Sequence, residues 1–599
     1  MELLRLLDGA LTREPTTLRP ELSCDVLCVG AGSAGIYAAD AAAQNGAGVI
    51  LVEQDVTVGG MHLLGNVRGC YYGFRGGAFE ADQPQKEDPV FLIPTDRKKL
   101  TLLQRLRRSG VKLLCGCSPT GILADGSKVV GLLLFDGQRE LAIGANMVID
   151  ATSDGFVLRM LPVEKFYGRP RDGKMAPYSV IATLYDGERC RRINRDAGYA
   201  DPYDWEDFSR KALLAHSQAA DILKKGAFLN LATHTGIREG LRFAGREQLR
   251  YEDVLFGKVP QKVLFWAYSD LDLHGHLRAL DDDLFQTWWV LCNMATVAVR
   301  IPVPLGAVVP EGWKGLVTAG RCLSTDSYAQ SAVRMNRDCF RMGQCVGTAA
   351  AMAVDGDLMA IDYEKYLQKV TAQSCFAGDE SRTMGFDSPR RDIPYRPVTV
   401  DWERNIHLLE TDTPGAFFWS AYCCRDKNSL EERLLGMKAE DTRTRYNIGL
   451  ALALLESKHA LPLLREMVEK RDAFRFADCR RSNQLRTVMA ICHLGRLGEP
   501  EDVQLLKALV FEDPVFSDHL YTQEPAICFD MVTHAAAALV RLYKRHGLPT
   551  LELNRGFHQL LESGTLVGRT APGCSPEMTA YAETVDFLNE MICETKVEE

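Results

Sequence analysis

"CVGAGSAGIYAADAAAQNGAGVILVEQ", residues 28–54, decides the fold. Residues 25–29 are a short apolar run that stops at Gly30, the pattern of a strand buried in a parallel sheet. Three glycines follow, each with its own reason. Gly30 permits the tight turn, Gly32 lets the backbone approach a pyrophosphate, and Gly35 lets a helix sit close to the strand. The alanine-rich run after Gly35 is made of strong helix formers, and Asn45-Gly46 stops it. Residues 48–53 form a second buried strand, closed by Glu53. That acid lies about 20 positions beyond the glycines, where a carboxylate holds the ribose hydroxyls of a dinucleotide. Glu53 also disfavours a 2′-phosphate there. The helix opening near Ser33 offers free N–H groups and a positive dipole end to a diphosphate. A glycine triad alone is weak, but here strand, turn, helix, strand and acid occur in order.

The bulk composition sets the frame. At about 100–200 residues per domain, 599 residues predict three to five units. The 46% hydrophobic and 25% charged fractions match a globular chain able to bury a large core. Outside the opening segment no run of about 18 apolar residues occurs. The first 22 residues lack the apolar core of a signal peptide. The expectation is a cytoplasmic protein without a membrane partner. A net charge of −9 argues against nucleic acid as a partner. The 18 cysteines sit mostly in apolar runs, with no C-x-x-C, and read as reduced thiols; no metal site is expected.

Four later blocks give the motif its context. "VGGMHLLGNVRG" (58–69) follows Glu53 closely. "NMVIDATSDG" (146–155) is an apolar strand ending in a polar turn. "THTGIREGLRFAGREQLRYEDVLFGK" (233–258) leads to "DLDLHGH" (270–276). "GLVTAGRCLSTDSYAQSAVRMNRDCFRMGQCVGTAAAMAVDG" (315–356) runs a strand into Ala319-Gly320-Arg321 and then a helix lined by Gly343, Gly347, Ala350 and Ala351. In this order the blocks resemble FAD-dependent oxidoreductases of the glutathione-reductase-like fold, related to succinate dehydrogenase flavoproteins. The resemblance covers roughly residues 23–356. It implies a resident, non-covalent FAD whose ADP half lies on the opening stretch. The last block would bring its strand end to the ribityl chain and its helix N-terminus to the flavin pyrimidine, where a positive dipole stabilises the reduced ring.

Motif and resemblance together assign the cofactor to Gly30, Gly32, Ser33, Ala34, Gly35, Glu53, Gln54, Gly59, Gly60, Met61, Pro119, Ala151, Thr152, Gly320, Arg321, Ser331 and Ala332. A flavin dehydrogenase also needs a proton relay and groups that orient its substrate. The candidates from the matched blocks are His62, Arg68, His234, Arg238, His274 and Arg334. Glu239 reads equally well as a structural ion pair. No second glycine motif occurs, so a built-in nicotinamide domain is not expected. Cys70 stands alone where disulfide reductases carry a redox pair.

The fold class is therefore α/β: a Rossmann-like FAD-binding domain, an inserted α+β substrate domain and an all-α C-terminal domain. The divisions are 1–22 an N-terminal extension, 23–160 and 301–358 the two parts of the FAD domain, and 161–300 the insert. Residues 359–428 are a connecting segment and 429–599 a helical domain. Leu454, Leu494 and Leu539 recur at about the 40–47-residue period of HEAT-like helix pairs. These helices could bind a protein partner, form an oligomer or complete the core. The expected function is hydride transfer between a small-molecule polar substrate and flavin N5, with a separate electron acceptor or donor. Alternatives are a flavoprotein of the tRNA-modifying type and a flavin-stabilised scaffold binding a protein through its helices.

Overall fold

The computed structural model describes residues 1–596 except 68, 83–93, 189, 214–225, 275, 385–391, 394–397, 480–481, 513–524, 565 and 567–578. Arg68 therefore lies outside the described residues. The chain divides into two compact units. The first comprises Met1–Asp272 and Ala298–Arg396, the second Leu273–Val297 and Pro397–Glu599.

The first unit is built on a 9-stranded mixed sheet. Leu22–Val29 lies parallel to Val49–Glu53 on one side and to Glu140–Asp150 on the other. Lys112–Cys115 extends the parallel part beyond Val49–Glu53, and Leu316–Thr318 pairs with the end of Glu140–Asp150. Val26, Leu27, Leu51, Val52, Val148 and Ile149 are all buried, as the near-continuous apolar runs require. The helix Ser33–Gln44 crosses between the first two strands. The helix Asn336–Met352 packs onto it through glycines. A Cβ at Gly343 would stand 2.1 Å from Ala34 O, and one at Gly347 2.1 Å from Ala38 O.

The other half of the sheet is antiparallel. Ser118–Asp125, Lys128–Phe135 and the first part of Glu140–Asp150 run as a meander. Residues read from sequence as an extension add to it. Glu2–Leu7 and Ala10–Pro15 form a hairpin turned at Asp8-Gly9, where both residues have positive φ. Glu2–Leu7 pairs with Ser118–Asp125 and buries Leu4 completely. Its alternation is too short to stand out from a single sequence. Away from this sheet, Ser179–Tyr185 is the centre of a three-stranded antiparallel sheet with Cys190–Asp196 and Ala227–Leu231. Val263–Ser269 pairs with Val299–Pro304.

The second unit is helical. Thr442–Leu454, Leu461–Glu469, Arg486–Leu497 and Pro525–His546 pack in sequence order, and Thr579–Glu594 packs on Pro525–His546. Leu454, Leu494 and Leu539 are buried in three of these helices. Leu273–Val297 belongs to this unit and is fixed by a buried polar knot at Asn293, which has φ 53. The Asn293 amide donates to Asp478 Oδ2 at 2.9 Å and to Asn483 Oδ1 at 3.0 Å, while its oxygen accepts the Gln484 N–H at 2.7 Å. Asn tolerates the left-handed backbone and uses both amide donors and its oxygen here. Asn293→Ala should cost about 3 kcal/mol, because the Gln484 N–H and Asp478 lose a partner together. Denaturant unfolding followed by helix circular dichroism checks this. Among the described residues, no helix is long and apolar enough to cross a membrane.

Candidate functional site

The glycine turn is fixed by what its side chains would strike. Gly30 has φ +97, and a Cβ there would lie 2.6 Å from Ala151 O; a Cβ at Gly35 would lie 1.8 Å from Gly30 O. Both positions are closed to any other residue. Gly32 differs: a Cβ there would meet only Gly60 Cα, at 3.8 Å. Its outward face is open. The helix Ser33–Gln44 begins after Gly32 without a side-chain cap, so the first amides, at Ser33 and Ala34, keep their donors for an anion.

Glu53 turns back under this loop. It accepts the Ala31 N–H on Oε2 at 2.6 Å and the Asp55 N–H on Oε1 at 3.1 Å. Burial pushes its carboxyl above the usual value, against the pull of these backbone donors. Two lone-pair positions remain for hydroxyls. Gln54 beside it is exposed. Gly59 has φ +122 and donates its N–H to Ala31 O at 2.9 Å, so the Gly59-Gly60 segment lies against the glycine turn. Met61 covers Gly65. Pro119 follows Cys117, whose N–H bonds Glu53 O at 3.0 Å, and so borders the same end of the sheet. Ala151 bonds Val29 O through its N–H. Thr152 is locked by its hydroxyl to the fully buried Asp150, which also accepts the N–H groups of Val157 and Leu158.

The second cofactor block lies across the helix pair. Gly320 has φ +108 and a Cβ there would find only Ala34 Cβ and Ser153 Oγ, each at 3.7 Å. Asp326 caps the helix Ser327–Val333, accepting the Tyr328 and Ala329 N–H groups, and also that of Tyr251. Burial pushes its carboxyl up to about 6. Ser331 and Ala332 are buried on this helix, with the Ser331 hydroxyl bonded to Tyr328 O. Arg321 is committed elsewhere. Its guanidinium bonds Asp154 Oδ1 at 2.7 Å and the Ile237 carbonyl, which ties this strand end to the segment carrying Arg238.

The catalytic candidates separate into distinct places. His62 is buried among Phe79 and Phe340, edge-on to both, with Nδ1 3.2 Å from Val67 O. His234 pairs with Asp55, 3.0 Å away, and its N–H bonds Leu64 O, which puts it at the Glu53 end. His274 belongs to the helical unit. Arg238 is buried and bonded to Asp196 and the Pro177 carbonyl. Arg334 bonds Asp272 through both the carbonyl oxygen and Oδ2, each at 2.9 Å. The charges of Arg334 and of its partner Asp272 both act on Arg238. Burial pushes the Arg238 guanidinium below its usual value, Asp196 resists, and nearby Arg334 adds to the fall.

Further contacts tie down the loop after Gly59-Gly60. Asn336, two positions after Arg334, donates to Val67 O at 2.6 Å and Gly69 O at 3.0 Å and so clips down the loop after Gly59-Gly60. Arg192 reaches Asn66 O at 2.8 Å, and the Asn66 amide donates to Thr183 Oγ1 at 2.8 Å. Tyr71, on the same loop, donates its hydroxyl to Asp270 at 2.8 Å. These partners stand 117 to 269 positions apart in sequence, so no local pattern announces them.

A parallel sheet whose strand ends carry a glycine turn, an uncapped helix start and a buried acid with free acceptor positions defines a dinucleotide-binding protein with a Rossmann-like core. Residues 25–221 and 210–370 match the FAD dependent oxidoreductase family, and the chain belongs to it. FAD is its cofactor, and the residues fit it: the face at Gly32 is open, the helix amides are uncapped, and Glu53 keeps free acceptor positions. Among solved structures, the chain is similar to a geranylgeranyl bacteriochlorophyll reductase-like protein from Thermoplasma acidophilum. Identity is 15%, over 75% of this chain and 99% of that one, with a TM-score of 0.27. It is similar to a flavoprotein/dehydrogenase from Cytophaga hutchinsonii at 13% identity, over 72% and 92% of the two chains, with a TM-score of 0.29. THI4 from Thermovibrio ammonificans shares 19% identity over 24% of this chain and 66% of its own, with a TM-score of 0.21. No curated protein matches the chain.

Proposed function

We propose that this oxidoreductase moves a hydride between a small polar organic substrate and flavin N5, with a separate electron acceptor or donor closing the cycle. FAD, bound without a covalent link, supplies the two-electron site. The observation that carries the reading is the arginine pair. Arg334 is held by Asp272, and Arg238 by Asp196, within electrostatic reach of each other. Two guanidinium groups whose charges act on each other favour a carboxylate or a cluster of hydroxyls, which they fix through directed N–H donors. Asn336, two positions from Arg334, holds the carbonyls of Val67 and Gly69.

The same reading gives Glu53 the adenosine ribose and the Ser33 and Ala34 amides the diphosphate. Ser331 and Ala332, at the end of an aspartate-capped helix, go to the flavin ring. It keeps residues 23–160 and 301–358 as the FAD domain and 161–300 as its insert, less Leu273–Val297, which goes with the helical unit. The helical unit is read as a HEAT-like array, supported by the buried, regularly spaced Leu454, Leu494 and Leu539. A cytoplasmic location is supported by the free thiols at Cys28, Cys292 and Cys492.

An anaerobic panel of hydroxy acids, polyols and enoates tests the reading, with oxidised holoenzyme for the first two and photoreduced holoenzyme for the enoates. One class should change the flavin absorbance. With that substrate, Arg334→Met should raise KM about 10- to 100-fold while flavin content stays the same, as expected for one lost charge-assisted contact. Arg334→Lys should fall between. An unchanged KM in Arg334→Met removes the arginine pair from substrate binding.

A further inference from the structure

We infer that Tyr71 and Asp270 form the proton relay of this site, with Tyr71 exchanging the proton with substrate and Asp270 storing it. The inference rests on the reading of the arginine site as the substrate site. Tyr71 donates its hydroxyl to Asp270 Oδ2 at 2.8 Å, across 199 positions of sequence. Asp270 is fully buried, and Ser269 Oγ stands 3.4 Å from its other oxygen. Tyr71 itself is half-buried, so its ring has one open side.

The placement joins the pair to the rest of the site. Tyr71 lies two positions after Gly69, whose carbonyl Asn336 holds. Asp270 lies two positions before Asp272, which holds Arg334. The Tyr71 ring packs edge-on against Tyr72 at 4.6 Å, and Tyr72 packs against Tyr268, on the strand that ends just before Asp270. The phenol is thereby aimed from two elements, not left to rotate. Burial pushes the Tyr71 hydroxyl above its ordinary range, and the charges of Asp270 and Asp272 push it further, so it stays protonated at neutral pH.

The chemistry balances without a new reagent. In the oxidation of an alcohol, the substrate carbon gives up a hydride, the transfer this family performs. Its hydroxyl gives a proton to Tyr71 Oη as the phenolic proton passes to the Asp270 carboxylate, and the carbon–oxygen double bond forms. In the reduction of an activated double bond the order reverses. Asp270, protonated, resupplies the phenol as the phenol protonates the carbon that becomes electron-rich. The histidines named from sequence are not needed for this step, since His62 is packed among rings and His234 pairs with Asp55.

The test uses holoenzyme and the panel of hydroxy acids, polyols and enoates. Tyr71→Phe should retain its flavin and slow the change in flavin absorbance by about 10²- to 10⁴-fold, the usual share of a positioned acid or base. The wild type should show a solvent deuterium effect that Tyr71→Phe lacks. Asp270→Asn should slow it similarly, and Asp270→Glu should recover part of the rate, which a purely structural role would not give. If Tyr71→Phe loses its flavin, Asp270→Asn and its partial rescue in Asp270→Glu decide. A wild-type rate in Tyr71→Phe overturns the relay and leaves the substrate-site reading standing. A wild-type holoenzyme that no member of the panel oxidises or reduces overturns both.

Discussion

Gly343→Val should yield protein that holds no flavin and is less stable by about 4 kcal/mol or more. The reason is the backbone contact between the helices Ser33–Gln44 and Asn336–Met352. A Cβ at Gly343 would stand 2.1 Å from Ala34 O, 2.8 Å from Ala34 C and 3.0 Å from Ala34 Cα, all main-chain atoms that cannot rotate away. The helices must separate by an ångström or so. Overpacking of this kind costs about 1–3 kcal/mol for added methylenes against yielding side chains, and more against rigid backbone. The separation also moves two helix starts at once: the Gly32–Ala34 end that meets the diphosphate, and the Asn336 end that holds Val67 and Gly69. Gly347→Val, a turn further along and 2.1 Å from Ala38 O, should destabilise comparably but displace the cofactor end less. The ratio of flavin to protein absorbance and the thermal midpoint read both effects. A Gly343→Val protein with full flavin and an unchanged midpoint would contradict the helix-pair account.

Glu53→Ala should weaken FAD binding about 10²- to 10³-fold in reconstitution of the flavin-free chain. Its carboxylate does two jobs. It fastens the glycine turn through the Ala31 and Asp55 N–H groups, and in the proposed function it offers acceptors to ribose hydroxyls. Hydrogen bonds to a charged group are worth about 1.5–3 kcal/mol each, so loss of two or more reaches this range. Glu53→Gln keeps one acceptor oxygen and should lose less. Because burial raises the Glu53 carboxyl in the folded chain, its contribution to folding is fully present below the unfolded value. That contribution falls as pH rises through the folded value. Glu53→Gln should therefore remove a pH-dependent loss of apo-protein stability on the acidic side of neutrality. Titration of flavin fluorescence quenching measures the affinity, and acid-range thermal scans measure the linkage.

The parts legible in the sequence are those fixed by local physics. Gly30, Gly35 and Glu53 could be read because turn, helix and strand lie within one short stretch, and each glycine has a steric reason the structure displays. Gly343 and Gly347 were legible as a small-residue face, and the partner they need is the backbone of Ser33–Gln44. The substrate side was less legible. Arg321 carries no local sign that it will be spent on Asp154 and the Ile237 carbonyl. His234 gives no hint of Asp55. Asp270 opens the quoted 270–276 block, but nothing there points to Tyr71, and only the tertiary fold brings phenol to carboxylate. The hairpin at residues 2–15 was missed because a short strand that pairs at a sheet edge alternates too briefly to show its partner.

The most direct test of the central claim is anaerobic stopped-flow spectroscopy of the purified holoenzyme with substrates deuterated at the carbon that loses hydrogen. The prediction is that a small hydroxylated or carboxylated substrate bleaches the flavin at a rate slowed by the deuterium, and that Arg334→Met needs more substrate to reach it. Protein that purifies without any flavin absorbance would contradict the account. So would bleaching by such a substrate that is indifferent both to the deuterium and to Arg334.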